Sequence, residues 1–578
     1  MKKQILIGTD SFEEIVGGNY FYIDKTLFIK ELLENRGEVT LITRPRRFGK
    51  TLNMSMLRYF FDVNMDGKAL FDGLNVMEHK DIVEKHLNRY PVIFLTLKGV
   101  EDDTYESSIE TIRDMISDIY RQNRYLFDSD RLDEGQKSVF YALFLGKSTQ
   151  NRLKSALLFL TECLYTYHKK RVIVLLDEYD APITNALMKG YYDEMVSFMR
   201  GFMGSVFKTN DYLEFGVLTG VQRISKESLV SGFNNPKVCG IMNKDFVTCF
   251  GFTEEEVKDA CNIYGLNDKF DEVKQWYDGY RFGGQDMYNP WSIIRCLDEG
   301  EIDNYWVNTG SVRVLQDVFY KGDSALKDGL AGLLTGAPVI MRLEDGITYP
   351  IKYVHSDTFW TMLLNAGYLK PCNGVTARAE KFGAELVNME VKNIFSRYAE
   401  EWFETQQPSI SRIIVAFVEY LLKGDAEAVS DILNNELLNN PGCHDFKEEN
   451  SYHMFIYGIL LAVSGKYTVY SNSESGKGRS DCLIKPVDKE QYAVVIEFKH
   501  CRGELHSPKE PAFSPKPRRG ELHSPNFLKE EAQKGLQQID EKSYIFTLKK
   551  EGYQRIFKYG IAFHTKNCEV AMGIVGSR

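Results

Sequence analysis

The apolar positions of the chain fall into two regimes. In the first half, short unbroken apolar runs recur at Val39–Thr43, Val92–Leu97, Val172–Leu176 and Phe215–Thr219, the signature of strands buried on both faces. Between them the period changes. In Asn151–Tyr167, Leu153, Ala156, Leu157, Leu160 and Leu164 recur at helical spacing. Strands alternating with helices predict an α/β domain with a largely parallel sheet, whose ligands gather beyond the carboxyl ends of the strands.

From Phe252 the pattern turns helical. FTEEEVKDACNIYGL reads as a helix opened by Thr253 with acids in its first turn, and no comparable strand series follows for well over a hundred residues. The aromatic stretch Trp276–Ile293 needs turns at its Gly and Asn-Pro elements, and Ser409–Glu436 reads as helix with Ile413, Phe417, Tyr420 and Leu421 on one face. The loop NNPGCH (Asn439–His444) marks a boundary. Three regions are predicted: 1–250, a helical middle 251–438, and 439–578 with a loop insertion over 502–526, where RGELHSP is duplicated.

Length and composition agree with this division. At 578 residues the chain exceeds a single core, and 43 % hydrophobic with 26 % charged residues is globular rather than disordered. The net charge of −10 argues against bulk electrostatic coating of nucleic acid but leaves room for a local basic groove. Ten cysteines without a CxxC pair point to a reducing compartment rather than to zinc or disulfides. MKKQILIGTDSFEE meets acid and glycine before a signal-type apolar core forms, and Phe455–Val463 is about half of what a bilayer span needs. A cytoplasmic protein with no membrane partner is expected.

Directly after the first apolar run comes RPRRFGKT (Arg44–Thr51), then a helical stretch. A phosphate-binding loop has the form G-x-x-x-x-G-K-[ST] between strand and helix; Gly49, Lys50 and Thr51 fit, while Arg44 stands where the first glycine is usual. Backbone N–H groups of such a loop, here carrying Arg47, Phe48 and Gly49, face a polyphosphate, with Lys50 on the β/γ-phosphates and the Thr51 hydroxyl on Mg²⁺. The strand RVIVLLDEYD ends in acids suited to the matching role, with Asp177 holding Mg²⁺ and Glu178 polarising a water. The next strand end offers Thr219 as a γ-phosphate sensor. Arg223 beyond it reads equally as a second sensor or a structural ion pair.

These segments, with YFYIDKT (Tyr20–Thr26), WYDGYRFGG, YNPWS and a later EFK, resemble the AAA-ATPase-like proteins that carry a C-terminal nuclease-like domain of the PD-(D/E)XK superfamily. That resemblance implies ATP and Mg²⁺ as cofactors and a parallel sheet with an extra strand between the P-loop strand and the Asp-Glu strand. It also makes an Arg at position 44 ordinary. It leaves open whether Tyr22, Asp24 and Lys25 touch nucleotide or pack beside the loop.

Near the C-terminus, Asp481–Lys485 and Tyr492–Phe498 read as paired strands. Glu497 and Lys499 share one face by period-2 geometry, and a hairpin brings Asp481 beside them. Two carboxylates for a hard divalent ion and a lysine for the transition state constitute metal-dependent phosphodiester chemistry. The resemblance adds Glu449, on a first helix of the nuclease core, as a further metal ligand, and Gln538 and Tyr544, on a later helix, facing the site or a nucleic-acid backbone. His453 reads as a packed core histidine; His500, Cys501, His506 and His523 are spaced too irregularly for a metal set. The whole implies an ATP-hydrolysing protein coupled to Mg²⁺-dependent nucleic-acid cleavage, with DNA as the expected partner and homo-oligomer formation compatible with it. By analogy its setting is defence or mobile-element biology. The alternative is a nucleotide-controlled switch whose nuclease-like domain binds without cutting.

Overall fold

The computed structural model describes residues 2–224, 236–306, 324–334, 336–344, 356–373, 380–406, 408–437, 467–475, 478–486, 488–500, 525–564 and 567–576. The chain divides into two compact units, residues 1–311 with 340–391, and residues 312–339 with 392–578.

The first unit is built on five parallel strands: β1 (Val39–Thr43), β2 (Val92–Thr96), β3 (Val172–Asp177), β4 (Leu213–Gly220) and β5 (Lys237–Cys239), in the order β2-β3-β4-β1-β5. Every residue of β1 and β3 is buried, which is why both read as continuous apolar runs. β4 lies between β1 and β3, the extra strand that the resemblance implied. The parallel direction brings the ends of β1, β3 and β4 to one edge, with Thr43 beside Gly220 and Ile42 beside Thr219. From β1 the chain enters α1 (Lys50–Phe61) through the loop 44–49.

The helix expected over Asn151–Tyr167 is two pieces, Gln150–Lys154 and Ala156–His168. At the break the Ser155 hydroxyl donates to the Arg152 carbonyl at 3.2 Å, the local side-chain competition that disfavours serine within helices. The helix beginning after Thr253 has a full capping box, in which Thr253 and Glu256 bond each other's backbone. The region beyond it is rich in helices, including α2 (Pro290–Glu299) and α3 (Ser356–Ala366). It also holds short strands that the apolar pattern did not announce: a hairpin of β6 (Tyr280–Phe282) with β7 (Gln285–Met287), and a sheet of order β8-β10-β9 formed by β8 (Val339–Met341), β9 (Leu369–Pro371) and β10 (Phe382–Leu386).

The second unit carries a mixed five-stranded sheet in sequence order, β11 (Tyr467–Ser475), β12 (Gly478–Pro486), β13 (Ala493–His500), β14 (Ile556–His564) and β15 (Asn567–Val575). Only β13 and β14 pair in parallel, joined through α4 (Pro525–Glu541), which lies against the sheet. Gly560 on β14 makes that close approach possible. A Cβ there would sit 2.0 Å from the Ala532 carbonyl oxygen, so only glycine lets the helix backbone rest on the strand. The helix expected over Ser409–Glu436 is interrupted. Pro408–Lys423 ends at Gly424, whose φ of 74° no other residue adopts readily, and Ala426–Ile432 restarts from the Asp425 cap.

Candidate functional sites

At the edge where β1, β3 and β4 end, the loop 44–49 closes over α1. Gly49 takes φ +73° as the cap of α1, and Arg47 adopts φ +67°. The Lys50 amine is buried, 5 % exposed, and donates to the carbonyls of Arg44 and Pro45 at 3.1 and 2.9 Å. Burial lowers its pKa, opposed by the nearby charges of Glu178, Asp177 and Asp180. Asp177 is the meeting point of the site. Thr51 donates to its Oδ2 at 2.8 Å, Thr219 to its Oδ1, and Thr96 approaches Oδ2 at 3.5 Å. Glu178 follows in a left-handed conformation, φ +53°, and burial, then the charge of Asp177, pushes its pKa up. Gly49, Lys50, Thr51, Asp177, Glu178 and Thr219 therefore converge. Arg223 lies three residues beyond the end of β4.

Arg44 explains the missing glycine. Its guanidinium is wholly buried and donates to four carbonyl oxygens, those of Thr43, Cys239, Asp245 and Phe246, at 2.9 to 3.3 Å. It also lies over the rings of Phe250 and Phe282, and burial lowers its pKa to about 10. The side chain is a strut that ties the loop to the backbone at 239, 245 and 246.

The aromatic stretch surrounds the same loop. Phe48 packs edge-on against Tyr280 and Phe282 with ring centroids 4.8 and 5.2 Å away, and the Arg47 guanidinium lies 4.5 Å over Trp291. Trp306 donates from Nε1 to the Arg46 carbonyl at 3.4 Å. Buried Glu390 accepts the backbone N–H groups of Tyr305 and Trp306 and the Ser292 hydroxyl, holding that wall in place; burial pushes its carboxyl up to about 7. Sequence reasoning missed Glu390 and Trp306. Tyr22, Asp24 and Lys25 all make protein contacts: Tyr22 with Met56 on α1, Asp24 with Thr26 and the Asn75 N–H, and Lys25 with Glu256 at 2.7 Å and the Thr248 carbonyl.

The second site lies on β12, β13 and α4, with Tyr544 in the turn after α4 rather than on the helix expected to carry it. Antiparallel pairing sets Cys482 against Ile496, so one step further Asp481 faces Glu497, and Asp481 Oδ2 accepts the Phe498 N–H at 2.8 Å. Glu497 is 3 % exposed. Its Oε1 accepts from Lys499 at 3.2 Å and from the Gln538 amide, while its Oε2 has no hydrogen-bond partner among the described residues. Gln538 also accepts from Lys499 at 2.6 Å and reaches the Tyr544 hydroxyl at 3.3 Å. Burial, then the Asp481 charge, raises the Glu497 carboxyl to about 7 against the pull of Lys499. Asp481, Glu497, Lys499, Gln538 and Tyr544 are thus brought together; Glu449, His453, Cys501, His506 and His523 lie outside the described residues. Among the described residues no group of three or more His, Cys, Asp or Glu side chains comes together as a metal set. A buried carboxylate oxygen without a donor, facing a second carboxylate, nevertheless fits a hard divalent cation.

A P-loop edge in a parallel sheet of this strand order, and a mixed sheet with an Asp/Glu-x-Lys pair, define a nucleotide-binding ATPase-type domain followed by a nuclease-type core. The chain matches the family described as predicted AAA-ATPase over residues 6–230 and the PD-(D/E)XK nuclease superfamily over residues 447–572. It is 30 % identical over 499 residues to an uncharacterized protein in the vnfD 5′ region of Azotobacter chroococcum mcd 1, covering 84 % of this chain and 87 % of that one. No solved structure matches it. The chain belongs to this family of AAA-ATPase-like proteins with a C-terminal PD-(D/E)XK nuclease superfamily domain. Among the described residues no helix is long and apolar enough to cross a membrane.

Proposed function

We propose that the chain hydrolyses ATP and, acting on nucleic acid with DNA as the expected partner, cleaves phosphodiesters in a metal-dependent reaction. One observation carries the nuclease half: buried Glu497, across from Asp481 and bonded by Lys499 on Oε1, has no hydrogen-bond partner for its Oε2 among the described residues. Leaving such an oxygen unpaired costs about 1–3 kcal/mol, more for a charged group, and a cation would remove that cost. The convergence of the Thr51 and Thr219 hydroxyls on Asp177 supports the ATPase half.

Asp481 and Glu497, with Glu449 as a further ligand, would hold Mg²⁺ in one site, and Thr51 with Asp177 in the other. When bound, the ion neutralises phosphate charge and acidifies a water. The chain's own residues do the rest. Lys499, oriented by Gln538, offers its ammonium to the charge that develops on the scissile phosphate, and Tyr544 holds Gln538 in that geometry. In the nucleotide site the loop N–H groups of Arg47, Phe48 and Gly49 receive the polyphosphate and Lys50 turns from its two carbonyls to the β/γ-oxygens. Glu178, its basicity raised by burial, accepts a proton from the attacking water, and Thr219 and Arg223 sense the γ-phosphate. We place this activity in the cytoplasm, on the cysteine pattern, and in defence or mobile-element biology by analogy.

The test is incubation of the purified full chain with single- and double-stranded DNA and RNA, with and without Mg²⁺ and ATP. Metal-dependent cleavage of at least one substrate, together with ATP-dependent phosphate release, is the expected outcome. Binding of nucleic acid without cleavage under every condition would instead favour a nucleotide-controlled switch.

A further inference from the structure

The turn after β4 is fastened to the end of β3 by two side chains, Tyr179 and Asp180, the second of which also places its charge near Lys50. Asp180, 5 % exposed, accepts the backbone N–H groups of Val221 and Gln222 at 3.0 and 2.6 Å on the same Oδ2. Tyr179, wholly buried, donates its hydroxyl to the Gln222 carbonyl at 2.7 Å and accepts the Ile224 N–H at 3.1 Å. Gly220 leaves the room for this. A Cβ there would meet Asp180 Oδ1 at 2.6 Å and the Tyr179 ring at 2.7 Å. From the other side, the Gln222 amide donates to the Met362 carbonyl at 3.1 Å and accepts from Asn365 at 3.2 Å, both on α3.

We propose that Asp180, with Tyr179, is a positioning residue for hydrolysis, locking the turn 221–224 to the strand that carries Asp177 and Glu178. Thr219 and Arg223 sit on either side of the two amides that Asp180 holds. The proton acceptor and the phosphate sensors then move as one body. The inference rests on the ATPase reading above. Its geometry also sets a specific demand: the role needs an acceptor oxygen at position 180 rather than a negative charge.

The experiment measures ATP affinity and steady-state hydrolysis for wild type, Asp180→Ala, Asp180→Asn and Tyr179→Phe, with thermal unfolding of each. Asp180→Ala is expected to lower kcat by about 10-fold or more with KM changed less than about 3-fold, the split for an interaction needed in the transition state. Asp180→Asn, which keeps an acceptor, should recover to within about 3-fold of wild type, and Tyr179→Phe should lose about 3- to 10-fold. An Asp180→Asn enzyme as impaired as Asp180→Ala overturns the proposal in favour of a charge role. Equal loss of KM and kcat, or no loss, overturns it as well. If Asp180→Ala does not fold, Asp180→Asn and Tyr179→Phe still decide: full activity in Tyr179→Phe or a collapse in Asp180→Asn counts against it. A wild type that binds no ATP overturns the ATPase reading itself and is thereby distinguished from these outcomes.

Discussion

The two candidate sites start from opposite conditions. In the N-terminal site the Asp177 carboxylate is already bonded by the hydroxyls of Thr51 and Thr219, and the Lys50 amine by two carbonyls. In the C-terminal site Glu497 keeps a buried oxygen without a donor among the described residues, and its carboxyl is held up to about 7. The polar groups of the first satisfy one another, and on the proposed reading a nucleotide would displace them; on the same reading a cation would complete the second. The backbone supplies most of the first, through a loop and the ends of parallel strands. Side chains from three elements supply the second.

The comparison predicts its own failures, and the largest concerns the lysine under the loop. Lys50→Ala should lower ATP affinity or hydrolysis by at least about 100-fold, measured by nucleotide binding and phosphate release; retained hydrolysis would remove the N-terminal half of the contrast. Next is the strut. Arg44→Gly, which restores the usual glycine, should destabilise the N-terminal unit by about 3 kcal/mol or more in denaturant unfolding, because four buried carbonyls lose their donor. In the second unit Gly560→Ala should cost about 1–3 kcal/mol and weaken cleavage, since it pushes α4, and with it Gln538, off the sheet.

The smallest effect is the one that most sharpens the difference between the sites. Because its folded-state pKa is raised, Glu497 binds its proton more tightly in the folded protein than in the unfolded chain. Its contribution to stability is intact below about pH 4.5 and is lost as the pH rises through about 7. Without metal, Glu497→Gln should therefore stabilise the protein by about 1 kcal/mol at pH 8 and leave it unchanged near pH 4.5, read by thermal unfolding. A pH-independent difference would mean that the second site is no more frustrated than the first.

Contiguity decided what could be read from the residues alone. The P-loop was legible because glycine, lysine and threonine that act together are neighbours in the chain, and Asp177 because a fully buried strand ends there. Asp481, Glu497 and Lys499 followed from strand periodicity. Gln538 did not; its arrival over Glu497 depends on the seating of α4 on Gly560, and only the family resemblance pointed to it. Arg44 reads as an anomaly in one dimension because the carbonyls it holds at 239, 245 and 246 are about two hundred residues away. Glu390 and Trp306 were hidden in the same way. Asp180 had a signal, an acid two residues past Glu178, but its partners at 221 and 222 come from the turn after another strand.

The central claim is that the C-terminal carboxylates and lysine form a working metal-dependent nuclease site, separate in chemistry from the ATP site. Its most direct test is the rate of Mg²⁺-dependent cleavage by Lys499→Ala beside wild type, with phosphate release from ATP followed in parallel. Cleavage is expected to fall by at least about 100-fold while the ability to hydrolyse ATP persists. Cleavage at the wild-type rate in Lys499→Ala would contradict it.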